Sequence, residues 1–249
     1  MLFRSLSVSQ VEAVLATADP STPQGLRNRA ILEVFYSSGM RRKELIGLKL
    51  HDLDTERGTV MIRQGKGSKD RFIPLGARAC AWIDKYLAEV RSELVGLDDD
   101  RSVFLDDFGR PLSAHFLGDL VRRHLEAGGI TTPGACHVFR HAMATHMLEG
   151  GADIRFVQAM LGHANLETTQ IYTHLSITKL KEIHSATHPA RLQRRGGDQS
   201  DAVGVSLDEA GQTPFDEAQD RLLSAMAAES DEEREDAAGD VAADAERRR

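Results

Sequence analysis

The sequence predicts a mainly α-helical domain with one small antiparallel β-sheet, an α+β fold, followed by an acidic tail. Three observations carry this reading. Apolar residues recur at helical spacing through most of residues 1–188. Two short β-branched and aromatic runs flank a glycine-rich polar loop. After Pro189 the composition changes abruptly.

Ser7 followed by Gln10 reads as a capping box that opens a helix over Val8–Ala18. A second helix starts near Gln24, carries Leu26, Ala30, Ile31, Val34 and Phe35 on an apolar face, and stops at Gly39. A short helix covers Arg42–Leu48. Strands are expected at Gly58–Arg63 and Arg71–Leu75, joined through the polar loop Gln64–Asp70 as a hairpin. Helices follow at about 76–93, 113–127, 137–149, 153–161, 167–173 and 176–184, separated by Gly or Pro.

Residues 189–249 form the expected tail, rich in Gly, Asp, Ser, Ala and Glu. Such a composition buries too little apolar surface to offset the entropy of ordering, so it is expected to be disordered. One amphipathic helix is allowed at 216–228, where Phe215, Leu222, Leu223 and Met226 share a face. The tail also holds the chain's acidity. Residues 190–249 contain 8 Lys and Arg against 16 Asp and Glu, whereas residues 1–189 contain 23 against 22. A near-neutral body can still present a local basic cleft. Cys80 and Cys136 stand far apart and outside any CxxC pair, so they read as buried thiols. With no long apolar run and no secretory leader, the chain is expected in the cytoplasm, at the nucleoid when bound to DNA.

The informative polar residues fall in five segments: Ser38-Gly-Met-Arg-Arg-Lys-Glu44, the loop around Lys66, His137-Val-Phe-Arg140, Leu161-Gly-His163, and Gln170-Ile-Tyr172. In this order and spacing they resemble the tyrosine recombinase (phage integrase) family, and its Xer-type members in particular. The resemblance runs from about Leu6 to His184. It implies the fold of that family's catalytic domain over residues 1–188. It places catalytic roles on Arg41, Lys66, His137, Arg140, His163 and Tyr172, and a supporting carboxylate on Glu44. The helical core-binding domain that usually precedes the catalytic one is not recognised here.

The chemistry suits these roles. A phosphodiester under attack develops negative charge on its oxygens, which preorganised cations must stabilise. The planar, permanently charged guanidiniums of Arg41 and Arg140 can clamp it from two sides, and His163 can add a hydrogen bond. A free phenol has a pKa of about 10, so Tyr172 must lose its proton during attack, with His137 as acceptor, or be held as phenolate by nearby cations. Lys66 on a hairpin tip can protonate the leaving 5′ oxygen. A 3′-phosphotyrosyl link would retain the phosphoester energy, so rejoining needs no ATP and no other cofactor.

Other residues carry plainer readings. Arg42, Lys43, Arg63, Lys69 and Arg71 are expected to touch the DNA backbone, fixing register without reading sequence. His137 and His141 have zinc-pair spacing, but Val138 stands where a metalloprotease needs glutamate, so no metal is expected. The loop lacks the GxxxxGK[ST] spacing of a nucleotide site. Tyr36 and Tyr86 read as core. The expected partners are double-stranded DNA and further recombinase subunits in a tetramer. The alternative is a non-catalytic or truncated DNA-binding module that modulates a full-length recombinase.

Overall fold

The computed structural model describes residues 5–63, 70–96, 99–131, 135–162 and 177–190, and within the tail residues 222 and 224–226. Helix α1 (Val8–Ala16) opens on the expected capping box: Ser7 Oγ accepts from Gln10 N at 3.2 Å, and Gln10 Oε1 accepts from Ser7 N at 2.9 Å. Helix α2 (Pro23–Ser38) has Thr22 as its N-cap and proline at its start. It ends on Gly39 in the left-handed region, φ 61°. Next come α3 (Arg42–Ile46), a 3₁₀ turn at Leu50–Asp52, and strands β1 (Leu53–Asp54), β2 (Thr59–Ile62) and β3 (Arg71–Pro74). The strands form one antiparallel sheet in the order β1-β2-β3, with Val60 opposite Ile73 and Ile62 opposite Arg71. This is the expected hairpin, extended by one short strand.

Helix α4 (Ala77–Tyr86) continues through a π-helical turn, Leu87–Arg91, into α5 (Ser92–Leu94). Then follow α6 (Ala114–Ala127), α7 (Cys136–Glu149), α8 (Ile154–Leu161) and α9 (Ile177–Thr187). The helix expected at 167–173 lies outside the described residues.

Helix α2 is the centre of the molecule, with α1, α4 and α7 packed on it. Apolar Leu32, Val34 and Phe35 are fully buried on it, and so is Glu33. A helix surrounded on all sides must neutralise its polar groups. Glu33 does so with Arg29 at 2.8 Å and Arg78 at 2.8 Å. Arg27 reaches the Leu105 carbonyl at 3.2 Å and Asp107 at 2.8 Å.

The last turn of α2 is satisfied from outside. A helix C-terminus leaves carbonyls without intrahelical donors. Gly39 N donates to Phe35 O at 2.9 Å. The Tyr36 carbonyl accepts from His188 Nε2 at 2.9 Å, and the Ser37 carbonyl from His184 Nε2 at 2.7 Å. The two imidazoles stack 4.7 Å apart. His146 Nε2 donates to Leu6 O at 2.8 Å, which leaves its Nδ1 to accept the Tyr36 hydroxyl, also at 2.8 Å. Helix α9 and the adjoining His188 are thereby tied to the end of α2 just ahead of Arg41.

Residues 222 and 224–226 are helical, and Leu222 and Met226 are buried with the core, on the face predicted for the amphipathic helix. Both cysteines are free and buried; burial, with the charge of Asp84 next, pushes the Cys80 thiol up to about 11. Among the described residues no helix is long and apolar enough to cross a membrane.

Candidate active site

Three chain ends that the fold brings together build the site: the C-cap of α2, the start of β3 and the C-cap of α8. At the first, Gly39 reverses the chain. Its positive φ favours glycine, and a Cβ there would lie 2.1 Å from Met143 Cε, so the end of that methionine would have to shift for any other residue. Arg41 follows in extended conformation as the N-cap of α3. Glu44, one turn in, accepts the Arg41 N–H at 2.8 Å and Arg41 Nη1 at 3.2 Å. Backbone and guanidinium of Arg41 are thus held by one carboxylate.

Arg71, the first residue of β3, meets the same carboxylate with a parallel fork: Nη1 to Oε1 at 2.9 Å and Nη2 to Oε2 at 3.0 Å. Its Nε donates to the Met160 carbonyl in the last turn of α8 at 3.1 Å. Burial alone would raise the Glu44 carboxyl, but the hydrogen bonds and charges of Arg71 and then Arg41 outweigh it and hold Glu44 below its ordinary pKa. It is ionised at neutral pH.

Arg140 completes the arrangement from α7. Its Nη1 donates to Gly39 O at 2.6 Å and its Nη2 to Leu161 O at 3.0 Å. A guanidinium at two helix C-termini also matches the negative ends of their dipoles. Arg140 therefore sits against the turn that presents Arg41 and against the residue two before His163. His137, three residues earlier on α7, lies on the same helix face and is half-buried.

The remaining candidates divide. Arg42 was expected on DNA; it is 5% exposed, and its Nη1 reaches to within 3.6 Å of where a Cβ on Gly118 of α6 would sit. Arg71, grouped with it from sequence, is occupied by Glu44 and Met160. Lys43 and Arg63 are exposed, with Arg63 paired to Asp52. Lys66, Lys69, His163 and Tyr172 lie outside the described residues. The chain's other two tyrosines are fully buried, and burial raises both phenols. Tyr36 donates to His146, while Tyr86 Oη accepts from Leu105 N at 3.0 Å. Neither is placed to act as a nucleophile.

What sequence reasoning missed is the part played by Arg71 and by the carbonyls of Gly39, Met160 and Leu161. A backbone carbonyl has no sequence signal, and only the fold brings Arg71 to Glu44. A separate open groove, lined by Arg110, His115, Phe116, Asp119, Arg122 and Arg123, runs along α6 and includes none of these residues.

Residues 4–179 match the phage integrase family. The tyrosine recombinase XerC 2 of Ralstonia nicotianae is 53% identical over 208 residues, covering 82% of this chain and 60% of that protein. Among solved structures, the XerA recombinase superposes with a TM-score of 0.61 at 31% identity, over 76% of this chain and 66% of that one. The XerH site-specific recombinase, in a post-cleavage complex with palindromic difH substrate, gives 0.56 at 30% identity, over 74% and 53%. The chain spans about three fifths of the length of the curated relatives it matches. With the family's fold, a match over residues 4–179 and this level of identity, the chain belongs to the phage integrase family, the tyrosine recombinases, and is of the Xer type.

Proposed function

We propose that this chain is the catalytic domain of a site-specific recombinase that breaks and rejoins DNA through a 3′-phosphotyrosyl intermediate on Tyr172. The observation that carries the reading is the Arg41–Glu44 pair set beside the anchored Arg140: two guanidiniums, each fixed by partners of its own, border one site. Arginines held this way are preorganised to receive developing charge on phosphate oxygens. Arg41 and Arg140 clamp the scissile phosphate, and His163 adds a hydrogen bond. His137 takes the Tyr172 proton. The phenolate oxygen attacks phosphorus, the bond to the 5′ oxygen breaks, and Lys66 protonates that leaving oxygen. The reverse attack by a 5′-hydroxyl of another strand reseals the DNA and restores the phenol.

Lys43, Arg63 and Lys69 serve as DNA-backbone contacts, with residues 189–249 as an acidic extension. The partners are double-stranded DNA and recombinase subunits assembled on it as a tetramer, in the cytoplasm and at the nucleoid. The recombinase name of the XerC 2 relative and the substrate complex of XerH support this reading.

The test is a nicked duplex carrying a recombination site of an Xer relative, which traps the covalent step. The chain should form an adduct stable to denaturant, and Tyr172→Phe should bind the same DNA without forming it. Binding without any adduct from the unaltered chain would overturn catalysis and leave a DNA-binding module.

A further inference from the structure

Arg71 belongs to none of the six positions of the proposed mechanism, yet its guanidinium joins two segments of the site at once, α3 and the end of α8. It follows directly on the Lys66 loop, at the start of β3. It grips both oxygens of Glu44, the carboxylate that holds Arg41. It also bonds the Met160 carbonyl, three residues before His163. Gly162 extends the contact. This residue caps α8 with φ 69°, and a Cβ on it would lie 2.9 Å from Arg71 Cζ, 3.0 Å from Nε and 3.1 Å from Nη1. The guanidinium therefore lies against the bare Cα of the residue before His163, and any side chain there would displace it.

We propose that Arg71 is the positioning residue that sets Arg41, through Glu44, in register with the C-terminal end of α8. The inference rests on the recombinase reading and deepens it. Glu44 accepts four hydrogen bonds, two from Arg41 and two from Arg71, which matches the lone-pair capacity of a carboxylate. The planar fork of Arg71 fixes the plane of that carboxylate and so the direction of the Arg41 head. A lysine could supply the charge but neither the fork nor the third bond to α8. The carboxylate also separates two guanidiniums that would otherwise repel. Among the described residues Glu44 is bonded by Arg41 from its own turn and by Arg71 from β3, while α8 offers the Met160 carbonyl to Arg71.

The experiment compares the full chain with Arg71→Ala, Arg71→Lys and Gly162→Ala. It measures thermal midpoint, DNA affinity and the single-turnover rate of adduct formation on nicked DNA from pH 5 to 9. A shift of about an ångström in a reacting group costs on the order of 100-fold in rate. All three variants should lose about that much while DNA affinity stays within about threefold, and Arg71→Lys should recover stability more than rate. Without the Arg71 fork the buried Glu44 protonates more readily, so the acid limb of the rate profile should move to higher pH in Arg71→Ala. In Arg71→Ala/Glu44→Gln that displacement should vanish. Adduct formation at the unaltered rate in the folded Arg71→Lys and Gly162→Ala variants would overturn the proposal, as would an unmoved acid limb. An unaltered chain that forms no adduct would instead overturn the recombinase reading itself.

Discussion

Replacing Arg140 with alanine should remove strand cleavage and lower the thermal midpoint together. The side chain joins two helix ends, through Gly39 O at 2.6 Å and Leu161 O at 3.0 Å, and the residue is only 4% exposed. Truncation strands two buried carbonyls, each worth about 1–3 kcal/mol when left without a donor. In the proposed mechanism it also removes a preorganised cation from the phosphate, a loss of the order of 100- to 1,000-fold in the chemical step. Arg140→Lys separates the two effects. It keeps one charge near the carbonyls but loses the planar fork, so it should regain part of the stability and little of the rate. Calorimetry and adduct kinetics at a temperature where every variant is folded provide the measurements. An unchanged midpoint would contradict the bridging role, and an unchanged rate would remove Arg140 from the phosphate.

The second large effect is on stability against pH. Burial pushes His146, His184 and His188 below their ordinary value, and His188 well below it, where the charge of neighbouring His184, then of Arg78 and His146, adds repulsion to burial. His124, bonded to Thr17 at 2.7 Å, is lowered by burial as well. Once unfolded, each imidazole accepts a proton at about pH 6.5. Below that pH the unfolded chain gains protons that the folded chain refuses. The stabilisation is therefore whole above about pH 6.5 and is lost as pH falls toward the depressed folded values, at up to about 1.4 kcal/mol per pH unit for each histidine. The depressed carboxylates act in a lower window. Asp100, held at about 2 chiefly by the Lys49 hydrogen bond, contributes stability lost only below about pH 4. A midpoint that falls steeply between pH 6.5 and 5 thus reports the histidines. His184→Gln/His188→Gln, which keeps donors for the Ser37 and Tyr36 carbonyls but cannot titrate, should flatten that fall. A midpoint constant from pH 7.5 to 5 would contradict the account.

Where order along the chain suffices, the sequence is a good guide to this fold. The capping box at Ser7 and Gln10, the stop at Gly39 and the apolar face of α2 are local signals, and each sits where expected. β1 was not legible, because two residues make no pattern and Leu53 is a strand only through its pairing with Val60. The π-helical turn at Leu87–Arg91 interrupts a run whose composition is helical throughout. The basic triplet Arg41-Arg42-Lys43 reads as one patch, yet Arg41 is extended at the N-cap of α3, and Arg42 and Lys43, successive helical residues, point about 100° apart. One guanidinium accordingly goes to Glu44, one is buried toward α6, and Lys43 faces solvent. Spacing within HxxR put His137 and Arg140 on one face. Nothing local tells that Arg71 and Glu44 meet across 27 positions, or that His184 and His188 close the end of α2. In the tail, helical spacing singled out Leu222 and Met226 on one face, but nothing local tells that this face joins the core.

The central claim is that one phenol becomes covalently joined to DNA. The covalent adduct should be trapped on nicked DNA, trimmed with nuclease and trypsin, and its peptides weighed by mass spectrometry. The account predicts a nucleotide 3′-phosphate on the peptide from Phe156 to Lys179, whose one tyrosine is Tyr172. A nucleotide on a peptide bearing Tyr36 or Tyr86, or on no tyrosine at all, would contradict it.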